Sequence, residues 1–255
     1  MKVKAISLFM LVFGSGCASL STPVLKHETG ETLGAGKFRV RGQIETSRIH
    51  PLATVDRKST LSAAQENGVF QGGFLSVQGA AGVHAKVDAQ LGAYYTMGGG
   101  GWRVGTKYKM LHKGNFASAV MAGYGRYSGK PSNQSYKTGG SSTDSSATTE
   151  ATGSVEVSQM AAASHIDVSF PVSFRLSPTV ALYSGANYYR SDTSGFSELQ
   201  YVEDSSNDFG TNFGVKLTFG KIEADAEMAY VMISDSLSGG SRFLPYWGAS
   251  IAFAL

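Results

Sequence analysis

Apolar and polar residues alternate with a period of two through most of the chain. In "FGTNFGVKLTF", which begins at Phe209, mostly large apolar residues take the odd positions, and glycine and polar residues take the even ones. The next stretch, "KIEADAEMAYVM", places Glu223, Asp225 and Glu227 on one face and apolar residues on the other. A helix would scatter these three acids, so the period predicts β-strands.

The same alternation predicts ten strands along the chain. The connections alternate in length, with short ones at "GVHAK", "LHKGN", "RLSPT" and "FGKI" and longer ones elsewhere, apart from "MGGGG". An even number of strands with alternating short and long connections is typical of an antiparallel barrel. The predicted strands lie near residues 36–49, 73–83, 86–97, 100–111, 115–128, 156–173, 178–191, 208–219, 221–234 and 244–255.

Any membrane crossing after the first 20 residues must be made by strands. No stretch after residue 20 approaches the roughly 20 apolar residues that a spanning helix needs. Strands can cross a bilayer only as a closed barrel, because every backbone polar group in lipid must be paired. The sequence therefore predicts an all-β fold, a transmembrane antiparallel up-and-down β-barrel of ten strands over residues 36–255. Its 32 glycines and 6 prolines favour this all-β prediction.

The chain ends in "LPYWGASIAFAL", which carries no charged side chain. Trp247, Ile251, Phe253 and Leu255 share one face, and small residues form the other. This segment resembles the terminal strand of bacterial outer-membrane barrels, whose aromatic, alternating end is recognised during insertion. The resemblance implies the outer membrane of a Gram-negative-type bacterium, with outer-membrane lipid and the barrel-insertion machinery as partners. Short turns would then be periplasmic, and both chain ends would lie on that side.

The first residues have the order of a secretory signal. Lys2 and Lys4 precede a short apolar run and then small residues, and the run is too short to span a bilayer. We therefore predict a signal peptide over residues 1–16.

Cys17 is the only cysteine, so it cannot form an internal disulfide. The run "FGSGC" resembles a bacterial lipobox, which implies that Cys17 is lipidated; ordinary cleavage nearby is the alternative. We expect residues 17–35 to be a tether between this point and the barrel.

Charged residues on the predicted strands lie almost entirely on the face opposite the large apolar ones. A lysine or arginine that faced lipid at mid-bilayer would cost about 2–4 kcal/mol, so the charged face is assigned to the lumen. Both signs crowd towards the short turns, and buried charges persist when they are paired. We expect an ion-pair network that plugs the lumen. Its predicted members are Arg39, Arg41, Lys107, Lys109, Lys216, Glu223, Asp225 and Glu227.

The stretch "SHIDVS" places three polar residues, His165, Asp167 and Ser169, on the lumen face. These are the residue types of a base, an orienting acid and a nucleophile. They resemble the short His-x-Ser and Asp-x-His pairs of outer-membrane hydrolases. The group lies midway along its strand, whereas those enzymes work near the outer rim. A polar network of the lumen is the alternative interpretation.

Charge, histidine spacing and loop composition limit the classes of binding partner. A net charge of +3 does not indicate nucleic-acid binding. The remaining histidines have no metal-ligand spacing, so neither a metal nor a cofactor is predicted. The long loop near residues 129–155 is rich in serine, threonine and glycine and cannot bury a core. It is either solubilising or a site for an extracellular ligand.

Three functions remain open from the sequence. The leading prediction is a non-enzymatic outer-membrane barrel with a plugged lumen and a structural or surface-interaction role through its outer loops. The second is a narrow pore for small solutes, since barrels of about eight strands are filled by side chains and wide pores need about sixteen strands. The third is an outer-membrane hydrolase that uses His165.

Overall fold

The computed structural model describes residues 20–50, 71–96, 99–129, 133–134, 157–158, 161–197, 200–234 and 241–255. Cys17, the predicted signal peptide and nearly all of the 129–155 loop lie outside these described residues. The described part contains thirteen β-strands. It contains no helix long and apolar enough to cross a membrane. The strands are β1 Leu20–Thr22, β2 Phe38–His50, β3 Gln71–His84, β4 Val87–Thr96, β5 Gly99–Lys113, β6 Phe116–Gly129, β7 Asn133–Gln134, β8 Val157–Ser158, β9 Ala161–Arg175, β10 Val180–Ser197, β11 Gln200–Phe219, β12 Ile222–Ser234 and β13 Ser241–Ala254.

Ten of these strands, β2–β6 and β9–β13, form one closed antiparallel barrel. Each pairs with its neighbour along the chain, β6 pairs with β9, and β13 pairs with β2 to close the ring. The predicted ten-stranded barrel is confirmed, strand for strand. β10 and β11 are longer than predicted, ending at Ser197 and beginning at Gln200. Much of each extension is polar at every position, over residues 192–194 and 203–207, so alternation alone does not mark it.

Four short turns join the strands at one end of the barrel, here called the turn end; the opposite end is the loop end. The turns lie at residues 85–86, 114–115, 176–179 and 220–221, where the sequence predicts short connections. Gly114 and Gly220 have φ of 57° and 63°, the left-handed region that two-residue hairpin turns require and that glycine adopts readily. Leu255 also lies at the turn end, where its N–H donates to the Phe38 carbonyl at 2.8 Å.

The outer surface of the barrel is a belt of exposed apolar side chains. At the upper edge of the belt, towards the loop end, Trp102 packs edge-on against Tyr124, with 5.7 Å between ring centroids. At the turn end the belt closes with outward phenylalanines. Exposed belt residues include Val40, Ile44, Leu75, Val77, Leu91, Val104, Ile166, Phe170, Phe174, Leu182, Phe213, Phe219 and Ile251. An apolar belt between two aromatic girdles is the exterior of a membrane-spanning barrel.

The chain preceding β2 runs through the inside of the barrel. Residues 22–30 are all buried, and β1 pairs with the loop end of β2, from Leu20 opposite His50 to Thr22 opposite Arg48. From there residues 23–37, here called the luminal segment, descend to the turn end. The sequence predicts a tether over residues 17–35 between Cys17 and the barrel. In the structure residues 22–30 of this stretch lie inside the barrel, and Leu20 lies at the loop end, opposite the end where Leu255 lies. Charged side chains of the barrel wall are buried here, and charged residues of the luminal segment form ion pairs with them.

Along one edge, β2 pairs first with β13 and then with β1. The ladder of β13 with β2 runs from Ala254 opposite Arg39 to Gly248 opposite Glu45. One residue further along, the Thr46 hydroxyl donates to the Trp247 carbonyl at 3.2 Å and accepts from the Trp247 N–H at 2.8 Å. Above this point β1 is the partner of β2. The side-chain hydrogen bonds thus satisfy backbone groups where the two ladders change over.

Candidate functional site

The centre of the luminal segment is Glu28, whose side chain is fully buried. Its Oε1 accepts from Arg41 Nη1 at 3.1 Å and from Arg39 Nη2, and its Oε2 accepts from Lys107 Nζ at 2.5 Å. The cations come from β2 and β5. Lys107 Nζ also lies 3.8 Å from Asp88 Oδ2 on β4. One carboxylate of the segment therefore connects separate parts of the barrel wall.

A second set of ion pairs links β2 to β12 across the small inner face of β13. Glu223 lies 3.4 Å from Arg39 and 2.8 Å from Lys216, nitrogen to oxygen. Arg41 Nη2 lies 4.0 Å from Asp225 Oδ2. Asp225 also accepts from the Ser250 hydroxyl at 2.6 Å. The two sets share both arginines, so they form one network.

Glu227, also predicted as an ion-pair member, binds backbone instead. Its two oxygens accept from the N–H groups of Lys26 and His27 at 3.2 and 2.5 Å. Asn212 Nδ2 and the Tyr183 hydroxyl donate to the same carboxylate at 2.9 and 3.2 Å. Consecutive N–H groups that converge on one anion form a backbone nest.

The nest depends on an unusual backbone conformation. His27 has a φ of 51°, the one positive φ outside glycine among the described residues. That conformation costs a residue with a side chain roughly 1–2 kcal/mol. The hydrogen bonds to Glu227 offset this cost, and the His27 ring fixes the turn further through Nδ1, which contacts Asp225.

The loop-end half of the segment is held by Asp167. Its carboxylate accepts from Arg103 Nε and Nη2 at 2.8 and 2.7 Å in a bidentate pair, and Lys26 Nζ lies 3.2 Å away. The Lys26 ammonium also lies 5.0 Å from the centre of the Tyr189 ring, a cation–π distance. The Tyr189 hydroxyl donates to the Val24 carbonyl at 2.5 Å, so this region binds both side chain and backbone of the segment.

Asp167 is consequently engaged by cations rather than by its neighbours on β9. His165 and Ser169 are buried on the lumen face, as alternation predicts. Within the described structure, however, neither ring nitrogen of His165 nor the Ser169 hydroxyl has a hydrogen-bond partner. The three residues therefore do not form the hydrogen-bonded chain of nucleophile, base and acid that hydrolysis uses.

Lys109 is a predicted member of the ion-pair network that lies outside it in the structure. It is half-buried near the turn end, where the β5–β6 register shifts between Lys109 and Leu111. None of the ion pairs seen in the described residues includes it. It lines a cavity at the turn end with His112 and Arg175 instead.

Close packing holds the luminal segment in place. A Cβ at Gly30 would lie 2.3 Å from the Ala117 carbonyl oxygen, so only glycine fits between the segment and β6. A Cβ at Gly248 would lie 2.7 Å from Leu25 Cδ1. Beside the segment, a cavity of about 40 Å³ lined by residues that include Lys26, Gln43 and Tyr94 has room for only a few waters.

The predicted network and polar group do not include four residues of the site: Lys26, His27, Glu28 and Arg103. The predicted network contains more cations than acids, and buried charges need compensation, so a further buried acid such as Glu28 could have been expected. The segment itself shows no strand alternation, so period-two analysis could not place it inside the barrel.

Replacing Glu28 tests the network. In Glu28→Gln, three buried cations lose their shared carboxylate, and we expect the free energy of unfolding to fall by about 3–5 kcal/mol. Urea unfolding of the refolded protein in lipid vesicles measures the change. Glu31→Gln is the matched control, because Glu31 pairs with the exposed Arg175 at 2.5 Å and should cost less than about 1 kcal/mol. Equal losses in the two variants would contradict the network.

In sequence, the chain matches no protein-family model and no curated protein. Several solved structures are similar in fold. The outer-membrane protease OmpT from Escherichia coli is 11% identical, with a TM-score of 0.40, covering 89% of this chain and 98% of that one. The attachment invasion locus protein Ail of Yersinia pestis is 10% identical (TM-score 0.38; 87% and 99%). The translocator domain of the autotransporter NalP from Neisseria meningitidis is 8% identical (TM-score 0.45; 88% and 90%).

Proposed function

We propose that this protein is a non-enzymatic outer-membrane β-barrel whose lumen is closed by its own luminal segment and whose loop end serves in surface interaction. The observation that carries the proposal is the burial of residues 22–30 inside the barrel, with Glu28 paired to both β2 and β5. A conducting lumen would need this segment to move out of the barrel.

The exterior belt supports the membrane location. Side chains such as Leu91, Val77 and Phe213 are more than half exposed on the outer surface. An apolar surface that encircles a protein is unfavourable in water, at roughly 25 cal/mol per Å², and favourable in hydrocarbon. Barrels that cross membranes with such belts are typical of bacterial outer membranes.

The buried charges support a closed lumen. Moving the luminal segment out would leave Arg41, Lys107 and Asp167 each without a charged partner that the segment supplies. Breaking a buried ion pair commonly costs about 3–5 kcal/mol, so the cost of opening would accumulate over several pairs. The segment is therefore a stationary part of the fold.

The hairpin of β10 and β11 supports a role at the loop end. Beyond Tyr188 and Phe209, whose rings pack at 5.1 Å, the next three outward pairs are polar: Arg190 with Asn207, Asp192 with Ser205 and Ser194 with Glu203. Nine further residues of strand from Tyr188 to Ser197 extend about 30 Å along the strand direction. The hairpin thus rises above the apolar belt into water, where it can contact a partner together with the 129–155 loop.

The engagement of Asp167 supports the non-enzymatic part of the proposal. A catalytic acid orients its histidine, whereas both Asp167 oxygens accept from Arg103. His165 is buried against Gly125 and Tyr94, and neither of its ring nitrogens has a hydrogen-bond partner in the described structure.

The membrane location predicts a depth-dependent cost for charge on the outer face. Leu91→Lys, in the middle of the belt, should lower the free energy of unfolding in vesicles by about 2–4 kcal/mol. Val83→Lys is the matched control, since Val83 is equally exposed but lies beside a turn, where the cost should be about 0–1 kcal/mol. A Leu91→Lys variant as stable as the control would argue against lipid at this belt.

A closed lumen predicts electrical silence. The refolded chain, inserted in a planar bilayer, should show no stable single-channel openings. A chain that begins at Leu33 lacks the segment from Pro23 to Thr32 and should conduct, provided that circular dichroism shows its barrel intact. Reproducible openings of the complete chain would instead favour the narrow-pore function.

A loop-end role predicts that adhesion depends on the outer surface. Cells that display the protein should adhere to a protein-coated surface more than cells without it. Deleting residues 129–155 should abolish the difference, whereas Val83→Lys, at the opposite end, should leave it unchanged. Adhesion that survives the deletion would move the role away from this loop.

A further inference from the structure

Every connection at the turn end carries one exposed cation. The first precedes β2, and the others lie in or beside the four short turns. Since β2–β6 and β9–β13 form a ring, these cations are spaced around the whole circumference of the barrel, one for roughly every second strand. They are Lys37, Lys86, Lys113, Arg175 and Lys221, here called the turn-end cations.

Most of these cations adjoin an outward phenylalanine. Lys37 precedes Phe38, Arg175 follows Phe174, and Lys221 lies two residues after Phe219. Each of these rings is at least half exposed on the outer surface. Aromatic side chains mark the boundary between hydrocarbon and headgroups, so the turn-end cations lie just beyond that boundary, at the level of lipid phosphates.

Little negative charge of the protein faces them. Glu31 is half-buried at this end and pairs with Arg175 at 2.5 Å. Glu223 points inward to Lys216 and Arg39. Among the residues that the structure describes, Lys37, Lys86, Lys113 and Lys221 form no ion pair. The turn end therefore presents a net positive ring that an anionic surface outside the protein can complement.

One part of the ring is also concave. A cavity of about 350 Å³ opens at the turn end, lined by Glu31, Thr32, Lys109, His112, Gly114 and Arg175. Lys109, which takes no part in the luminal network, is half-buried here. A phosphate group fits such a volume and such donors.

We propose that the turn-end cations bind the phosphate groups of anionic phospholipids in the leaflet at that end. This inference rests on the membrane location proposed above. Lysines beside a membrane attract anionic headgroups, whereas a soluble phosphate would be bound at a single concave site. The circumferential spacing of the cations matches a shell of lipids around the barrel, and so the lipid is the source of phosphate that the geometry favours.

Lipid selectivity in the assembled protein tests the proposal. The full refolded chain is reconstituted in phosphatidylcholine vesicles, and electron paramagnetic resonance compares the association of spin-labelled phosphatidylglycerol with that of spin-labelled phosphatidylcholine. We expect phosphatidylglycerol to associate about fivefold more strongly at low salt, with the preference declining as salt screens the charges. Equal association of the two lipids would overturn the proposal.

A charge-neutral variant locates the effect. Lys37→Gln, Lys86→Gln, Lys113→Gln and Lys221→Gln combined leave the Arg175–Glu31 pair intact and should remove most of the preference. Arg126→Gln with Arg190→Gln is the control, because both arginines are exposed towards the loop end. A preference that persists in the lysine variant, or that disappears in the control, would overturn the assignment to the turn end.

Two further outcomes separate the alternatives. If phosphatidylglycerol shows no preference while the inserted chain binds inorganic phosphate in equilibrium dialysis, the site takes free phosphate and the lipid assignment fails. If the wild-type chain does not insert, as judged by the absence of a β signal in the vesicle fraction, the membrane location itself is refuted. Insertion with no lipid preference refutes the turn-end proposal alone.

Discussion

Compensation of buried charge is the constraint on which the interior depends. A ten-stranded barrel is too wide for its own side chains to fill as easily as an eight-stranded one and too narrow for a wide aqueous channel. Charges on its inner wall are therefore expensive unless they are paired. Glu28 meets this requirement for Arg39, Arg41 and Lys107 together. The position of the luminal segment follows from where those cations lie.

The same constraint explains why backbone and side chains of the segment are bound together. Between Val24 and Glu28 the chain has no neighbouring strand to satisfy its polar groups, and unpaired backbone groups are costly in an interior. Glu227 and Tyr189 of the wall supply acceptor and donor, respectively. Wall glycines such as Gly248 leave the room that this arrangement needs. Polar groups and small residues on the inner face thus act as one binding surface for the segment.

Alternation along the chain was sufficient to predict the barrel, because each barrel strand separates two environments of opposite polarity. It also predicted that Arg39 and Glu223 point inward and belong to one network, and these two side chains lie 3.4 Å apart. It could not place residues 23–37, since this segment shows no period-two alternation. Its apolar residues Val24 and Leu25 pack inside the barrel, in one cluster with Tyr189, Val231 and Tyr246, rather than against lipid. Lys109 keeps the inward parity, because the register shift comes after it, but it lies so near the turn end that it lines the cavity there instead of joining the network. Asp167 was found, but its partners Arg103 and Lys26 come from other parts of the chain and carry no common sequence signal.

The path of the luminal segment also has a consequence for how the protein folds. His27 contacts Asp225, which is 198 positions later in the chain, and β13 must pair with β2 to complete the ring. Contacts of such long sequence separation form late and slowly. A ring that closed first would have to admit the segment through a narrow opening, with its charges still hydrated. We therefore expect the luminal segment to enter the barrel and β13 to pair with β2 in a single late step. The first part of the chain would then be a template around which the last strands assemble.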